Sequence, residues 1–239
     1  MSRRAYAVFL DRLVPYDDGL DLQQCVHAAR LEGRLPDTVF FLRHRPVITL
    51  GRRARDQHLL VSRGQLADRG VELHVASRGG DVTYHGPGQW VIYPILHLGD
   101  READAHGYLW NLEEIALRTA ADFGVEAWRR EGKNGAWTDQ GKIAAIGFHI
   151  RRWVTLHGMS FNVGGDLDGF RYIVPCGLVG EPVASLETVL GGGVPDEVRV
   201  RDRLAHHLAE VLQRPLEILR EDEEWPEDLR TVLSDAVIP

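Results

Sequence analysis

Cysteine is scarce: Cys25 and Cys176 are the only two in 239 residues. A chain this long does not depend on one disulfide for its core, so a disulfide-stapled scaffold is excluded and both are read as free thiols. Long hydrophobic runs are missing too, and no stretch approaches the ~20 apolar residues that span a bilayer. The amino terminus, MSRRAYAVFLDRLVPYDDG, starts basic, but Asp11 and Arg12 interrupt its short apolar stretch and no small-residue cleavage site follows. A cytoplasmic location with no membrane partner is therefore expected. A net charge of −7 leaves no general excess of cations, which argues against a nucleic-acid partner. Lysine is the scarcest cation. Of 28 Lys and Arg, only Lys133 and Lys142 are lysines. Arginine effectively never loses its proton, whereas lysine can. Compositional bias explains the scarcity equally well, so both lysines are candidates only.

Hydrophobic residues make up 44% and charged residues 26%, proportions that support a packed globular core. There is no linker-like segment and no internal repeat. Residues 19–33 read as a helix containing Cys25, which fits a small buried hydrophobe. Residues 37–51 read as a strand pair broken at Pro46, followed by loop and a short helix. Residues 71–98 hold two strand-like runs around a glycine-rich turn, the second continuously apolar as in an interior strand. Residues 107–125 carry Leu109, Leu112, Ile115, Ala116, Thr119 and Phe123 at helical spacing, with Gly124 as the stop. Residues 135–163 read as three strands with tight turns at 139–141 and 151–153. Residues 166–191 read as loop and short helix, and 198–218 as a helix ended before Pro215. The mixture without a regular βαβ alternation predicts an α/β (α+β) fold. We expect one domain over 1–239, a mixed β-sheet flanked by helices, with a peripheral acidic tail from about 220 to 239. GGGV at 191–194 lacks the preceding strand of a phosphate loop and is read as a turn.

Three segments carry unusual chemistry. RGGDVTYHGPGQ (78–89) packs glycines and a proline among Arg78, Thr83, Tyr84, His85 and Gln89, so its backbone bends sharply and can approach a ligand closely. The competing reading is a hairpin with polar decoration. GKIAAIG (141–147), followed by HGMSFNV (157–163), sets Lys142 beside an apolar strand, where desolvation disfavours an ammonium. The alternative is a lysine that snorkels to the surface. IVPCG (173–177) places Cys176 between a proline that fixes one dihedral and a glycine that frees the next. That setting suits a nucleophile on a rigid loop, or a passive loop thiol.

Taken together, these segments resemble the lipoyl(octanoyl) transferases, the octanoyl-[acyl carrier protein]:protein N-octanoyltransferases of lipoate biosynthesis. HRPVITLGRR (44–53) looks like a further segment of that family, and the resemblance covers about residues 37–190. It implies a catalytic pair at Cys176 and Lys142. It also implies an acyl and carrier site over Arg78, Gly79, Gly80, Asp81, Val82, Thr83, Tyr84 and His85, over Ala145, Ile146 and Gly147, and over Gly158, Met159 and Ser160. The implied fold is similar to the catalytic domains of biotin- and lipoate-protein ligases. The implied partners are acyl carrier protein bearing octanoyl, the lipoyl domains of 2-oxoacid dehydrogenase complexes and the glycine cleavage H protein. Trp153 and Val154, after the lysine strand, and Asp81 depart mildly from the family pattern.

For such a pair the chemistry runs in two steps. A thiolate at Cys176 takes the acyl group from the carrier thioester in a nearly isoenergetic exchange, and a lysine amine then takes it downhill to an amide. A Lys142 ammonium favours the thiolate, and its neutral amine then accepts the proton of the attacking lysine. Backbone N–H groups at Gly147 and Gly177 are candidate oxyanion donors. His157 is either a supporting hydrogen-bonding group or a structural histidine. Ala144, Ala145, Ile146 and Gly147 suit an apolar channel. Arg52, Arg53, Arg55, Arg151 and Arg152 offer a basic patch for acidic partners or a merely solvated face. His85, His149, His157 and Cys176 match no metal spacing, so no metal and no ATP is expected. An ATP-dependent ligase on the same fold and a non-catalytic carrier-binding protein are the competing functions.

Overall fold

A computed structural model describes residues 4–99, 103–165, 167–175, 180–193 and 195–234. Its first strand, β1 (Ala5–Val14), lies beside β2 (Asp37–His44) in parallel, joined by helix α1 (Tyr16–Leu31). Asp17 and Asp18 in the first turn of α1 and Arg30 in its last complement the helix dipole. After the break at Pro46 come β3 (Val47–Leu50), the short helix α2 (Arg63–Ala67) and β4 (Glu72–Val75). Ser62 and Gln65 cap α2 reciprocally.

Residues 71–98 hold three strands where two were expected. The short stretch Val82–His85 (β5) pairs antiparallel with β3, so β4, β3 and β5 make a small separate sheet. The expected interior strand is β6 (Gln89–Ile95), buried at every position. Helix α3 (Ala105–Asp122) follows, its first turn capped by Asp104, whose carboxylate accepts from His106 N–H. Strands β7 (Trp128–Arg130), β8 (Lys133–Thr138), β9 (Gly141–Arg151) and β10 (Val154–Asn162) form a meander. Short helix α4 (Leu186–Val189) and helix α5 (Glu197–Val211) come next. The helix expected to end before Pro215 is α5, and a strand that was not expected follows it. The helix stops at Val211, and Leu216–Arg220 becomes strand β11, parallel to β1. Pro215 cannot donate the next helical hydrogen bond, which separates them.

Among the described residues the main sheet runs β11-β1-β2-β6-β10-β9-β8-β7. Period-two alternation sends Val39 and Phe41 to one face and Phe40 and Leu42 to the other. On the first face they meet Leu112, Ile115 and Ala116 of α3 and Leu204 and Leu208 of α5. On the second they meet Leu22, Val26 and Ala29 of α1. Cys25 is partly buried against that second core. In the tail, helix α6 (Glu227–Leu233) lies at the sheet's edge but buries Leu229 and Leu233 in the same core. No helix among the described residues is long and apolar enough to cross a membrane.

Candidate active site

The site forms where the small sheet's glycine-rich loop crosses the outer edge of β9. Gly79 N–H donates to Phe148 C=O at 2.9 Å. A Cβ on Gly147 would lie 2.9 Å from the Gly79 carbonyl oxygen, so a side chain there would force the two backbones apart. Arg78 stiffens the loop. Its guanidinium donates to the Thr49 carbonyl at 2.6 Å, to the Thr49 hydroxyl at 2.8 Å and to the Gly79 carbonyl at 3.0 Å. Asp81 accepts from His58 Nδ1 at 2.7 Å and from the Val82 N–H at 2.8 Å.

Strand alternation sorts β5. Thr83 and His85 face a cavity between the two sheets, while Val82 and Tyr84 point away into the small sheet's own core, where Tyr84 packs edge-on against Phe170. The implied group Arg78 to His85 is thus divided by the pleat. The opposite wall is built by Ala145, Ile146 and Gly147 of β9 and Gly158, Met159 and Ser160 of β10. Gly158 and Gly147 sit opposite each other in the ladder. A Cβ on Gly158 would meet the Ile92 carbonyl oxygen at 2.3 Å. Tyr16, Val91 and Tyr93 close the end, and the cavity encloses about 490 Å³ with its open mouth included.

The histidines that line it, His85 and His157, and His44, which bonds to the lining Tyr93, are buried and pinned. His44 Nδ1–H donates to the Val14 carbonyl at 2.9 Å, and Nε2 accepts from the Tyr93 hydroxyl at 2.7 Å. His85 Nδ1–H donates to Gln89 Oε1 at 3.2 Å, and the Gln89 amide donates to the Tyr84 carbonyl. His157 Nε2 lies 2.9 Å from the Ser77 hydroxyl, and its backbone N–H donates to Gln23 Oε1 at 2.8 Å. His157 also holds a φ of +58°, a left-handed conformation costing about 1–3 kcal/mol for a non-glycine residue. Burial drives all three imidazoles toward the neutral form: His44 falls to about 4, and His85 and His157 to about 3. The Arg78 guanidinium adds to this for His85 and His157. Burial likewise pushes Tyr16 up to about 12. The imidazoles lining the cavity are therefore neutral at neutral pH, while the Arg78 and Asp81 side chains are tied up in the hydrogen bonds above. Thr83 Oγ1 is buried without a hydrogen-bond partner among the described residues.

Lys142 lies on the other side of β9, lining a larger cleft with Arg52, Arg53, Lys133 and Asn134. Gly80, Asp81, Ile146 and Gly147 border both cavity and cleft. Lys142 is 7% exposed, so the alternative of a snorkelling side chain does not describe it. Its ammonium sits 5.1 Å from the Trp137 ring. Gly135, at φ +116°, makes the room: a Cβ there would lie 2.6 Å from Lys142 Cε. The Lys142 backbone is held on both sides. Its N–H donates to the Pro182 carbonyl at 2.9 Å, and its carbonyl accepts from Ala184 N–H at 3.0 Å and from the Asn162 amide at 3.2 Å. The second lysine, Lys133, is ion-paired with Glu181, which also holds Arg130 at 2.7 Å.

Cys176 and Gly177 lie outside the described residues. The arginines expected as a patch, Arg52, Arg53, Arg55, Arg151 and Arg152, are all exposed. Arg52 reaches His149 at 3.0 Å.

The lipoyl protein ligase A/B catalytic domain family matches residues 15–209, most of the chain. The chain belongs to this family. Within the family, its sequence is 45% identical over 181 residues to an octanoyltransferase of Caldicellulosiruptor saccharolyticus, covering 75% of this chain and 77% of that one. It is 44% identical over 201 residues to an octanoyltransferase of Syntrophotalea carbinolica, covering 84% and 92%. The ligase-like fold extends to solved structures. A lipoate-protein ligase A bound with ATP superposes with a TM-score of 0.78 at 15% identity, covering 97% of this chain and 93% of that one. A bipartite lipoate protein ligase from Thermoplasma acidophilum gives 0.76 at 16% identity, covering 97% and 91%.

Sequence reasoning missed Tyr16, Val91 and Tyr93 in the cavity, and Gln23, Ser77 and Thr49 as braces. Val91, Tyr93 and Thr49 lie in segments read as strands, but nothing local says which of their residues face the site. Asn162 was visible inside HGMSFNV as a polar residue in an apolar strand, and its amide ties Lys142 to Ala184, donating to the Ala184 carbonyl at 2.8 Å.

Proposed function

We propose that this octanoyltransferase moves its acyl group in two steps through Cys176, from the thioester of an acyl carrier protein to the amine of a lysine on a lipoyl domain. In the first step the Cys176 thiolate attacks the carrier thioester, forming a new thioester and releasing the carrier thiolate, which takes up a proton. In the second, the lysine amine attacks, the amide forms, and the Cys176 sulfur leaves. Lys142 supports the thiolate as an ammonium and accepts the amine's proton in the second step. One thioester becomes another and then a more stable amide, so neither ATP nor a metal is needed at the reacting centre.

The observation that carries this reading is the placement of Lys142. It is buried beside the cleft, and its backbone is bonded to Pro182 and Ala184, six and eight residues beyond Cys176 in sequence. The neighbouring cavity, whose Arg78 and Asp81 are hydrogen-bonded within the protein and whose other lining is apolar or neutral, suits an aliphatic acyl chain, with the thioester directed toward the shared border at Ile146 and Gly147. Peptide mapping after incubation with octanoyl-carrier in the absence of ATP tests it. A thioester-linked octanoyl on Cys176 is expected; acylation that requires ATP would point to a ligase, and the absence of any adduct on this thiol rejects the two-step route.

A further inference from the structure

Away from the cavity and cleft, the packed surface of α3 and α5 gathers a second set of chemically competent side chains. Among the described residues, only His206, His207 and Glu210 bring three candidate ligand atoms within 4.8 Å of one another. His206 Nε2 is 3.4 Å from Glu210 Oε1, and His207 Nδ1 is 3.6 Å from Glu210 Oε2. In a tetrahedral zinc site with bonds of about 2.0–2.1 Å, neighbouring donor atoms stand roughly 3.3 Å apart. The observed separations need only small side-chain adjustments to reach that spacing.

His207 supplies an independent sign. It is 7% exposed, and its Nδ1 is buried with no hydrogen-bond partner. A buried polar atom without a hydrogen bond is costly, and this one stands 3.6 Å from Glu210 Oε2. Its other nitrogen is occupied: Nε2–H donates to Asp122 Oδ2 at 2.6 Å. Asp122 in turn accepts from Arg203 Nε at 2.5 Å. This carboxylate–imidazole arrangement fixes the tautomer that leaves Nδ1 free to ligate. An ordinary ion pair between His206 and Glu210, one helical turn apart, accounts for those two residues; His207 Nδ1 lies 3.6 Å from Glu210 Oε2 but makes no hydrogen bond among the described residues.

We propose that His206, His207 and Glu210 bind a divalent cation of the zinc class, with Asp122 orienting His207 and water completing the coordination. His206 and Glu210 are about half exposed, so the site is open on one side and exchanges its metal readily. Because Asp122 is the last residue of α3, the ion ties that helix end to α5. None of these residues lines the cavity or the cleft. The site is therefore structural and independent of acyl transfer.

Calorimetric titration of Zn²⁺ into the metal-stripped full-length chain, paired with thermal unfolding, tests the proposal. One bound equivalent and a raised unfolding midpoint are expected. The exposed substitutions His206→Ala and Glu210→Gln should each weaken binding at least tenfold while leaving circular dichroism and octanoyl transfer unchanged. Asp122→Asn should weaken it by about 10–100-fold through loss of orientation. No binding by the unsubstituted chain at millimolar Zn²⁺ overturns the proposal. So does binding that survives both substitutions, the outcome expected if a cysteine thiol holds the metal instead.

Discussion

The cavity and the cleft share a border at Gly80, Asp81, Ile146 and Gly147, yet they are built on opposite electrostatic plans. The cavity is lined by small and apolar side chains and by buried imidazoles driven neutral. The cleft carries Arg52, Arg53, Lys133 and Lys142. One suits an uncharged chain, the other charged partners and proton transfer. The single strand β9 separates them, with Lys142 on the cleft side and Ala145 on the cavity side. In the proposed route the reacting carbonyl lies at the border, with the acyl chain on the cavity side and the cations of the cleft on the other.

The contrast is broken most severely by removing the cleft's proton acceptor. Lys142→Ala should lower the turnover number for octanoyl transfer by about 10²–10⁴-fold, the usual contribution of a positioned acid/base, while octanoyl retention in the cavity persists. Unchanged turnover would leave the cleft without a chemical role.

Acid attacks the buried imidazoles in and behind the cavity instead. His44, His85 and His157 are held well below the ordinary histidine value, to about 4, 3 and 3, so the unfolded chain binds protons that the folded chain refuses. Stability is complete above about pH 6.5 and is lost as pH falls from there toward 4, each group contributing up to about 1.4 kcal/mol per pH unit. Urea unfolding across that range should show the loss, and His44→Gln should flatten the slope. A flat profile for the unsubstituted chain would mean these imidazoles are not buried neutral.

A narrower change sharpens the border itself. Gly147→Val places a side chain against the Gly79 carbonyl, where a Cβ alone would already lie 2.9 Å away. A cost of about 1–3 kcal/mol is expected, together with a shift of preference toward shorter acyl chains, read from competition between carriers. The smallest effect is expected from Arg52→Ala and Arg53→Ala. These exposed cations should raise KM for carrier protein a few-fold, with little change in kcat, and the difference should fade as salt rises. A salt-independent effect would argue against charge steering.

Much of this division was legible from residue types and spacing, and some of it was hidden by the pleat. Glycines in RGG and GKIAAIG announced a close approach, and Gly79 and Gly147 are where the backbones touch. The helix at 107–125 and the three strands at 135–163 followed from their periodicity and turns. Strand β5 was hidden because it is only four residues long and lies in a glycine-rich stretch, so it resembles a turn. Without that strand, nothing distinguished Thr83 and His85, which face the cavity, from Val82 and Tyr84, which do not. Strand β11 was hidden because the apolar pattern of α5 runs on into it across Pro215. The pairing of Lys142 with Pro182 and Ala184 depends on chain reversal over forty residues, which no local pattern encodes.

In the proposed route Lys142 serves as the base when the acyl group leaves Cys176. The most direct test of that role is a single-turnover chase: load the enzyme with octanoyl from carrier protein, remove the carrier, add lipoyl domain and follow loss of the thioester by mass spectrometry. Lys142→Arg keeps the positive charge but cannot accept the proton. The loaded variant should therefore hold its thioester long after the unsubstituted enzyme has passed its octanoyl to the lysine. Equal rates of transfer from the two would contradict the claim.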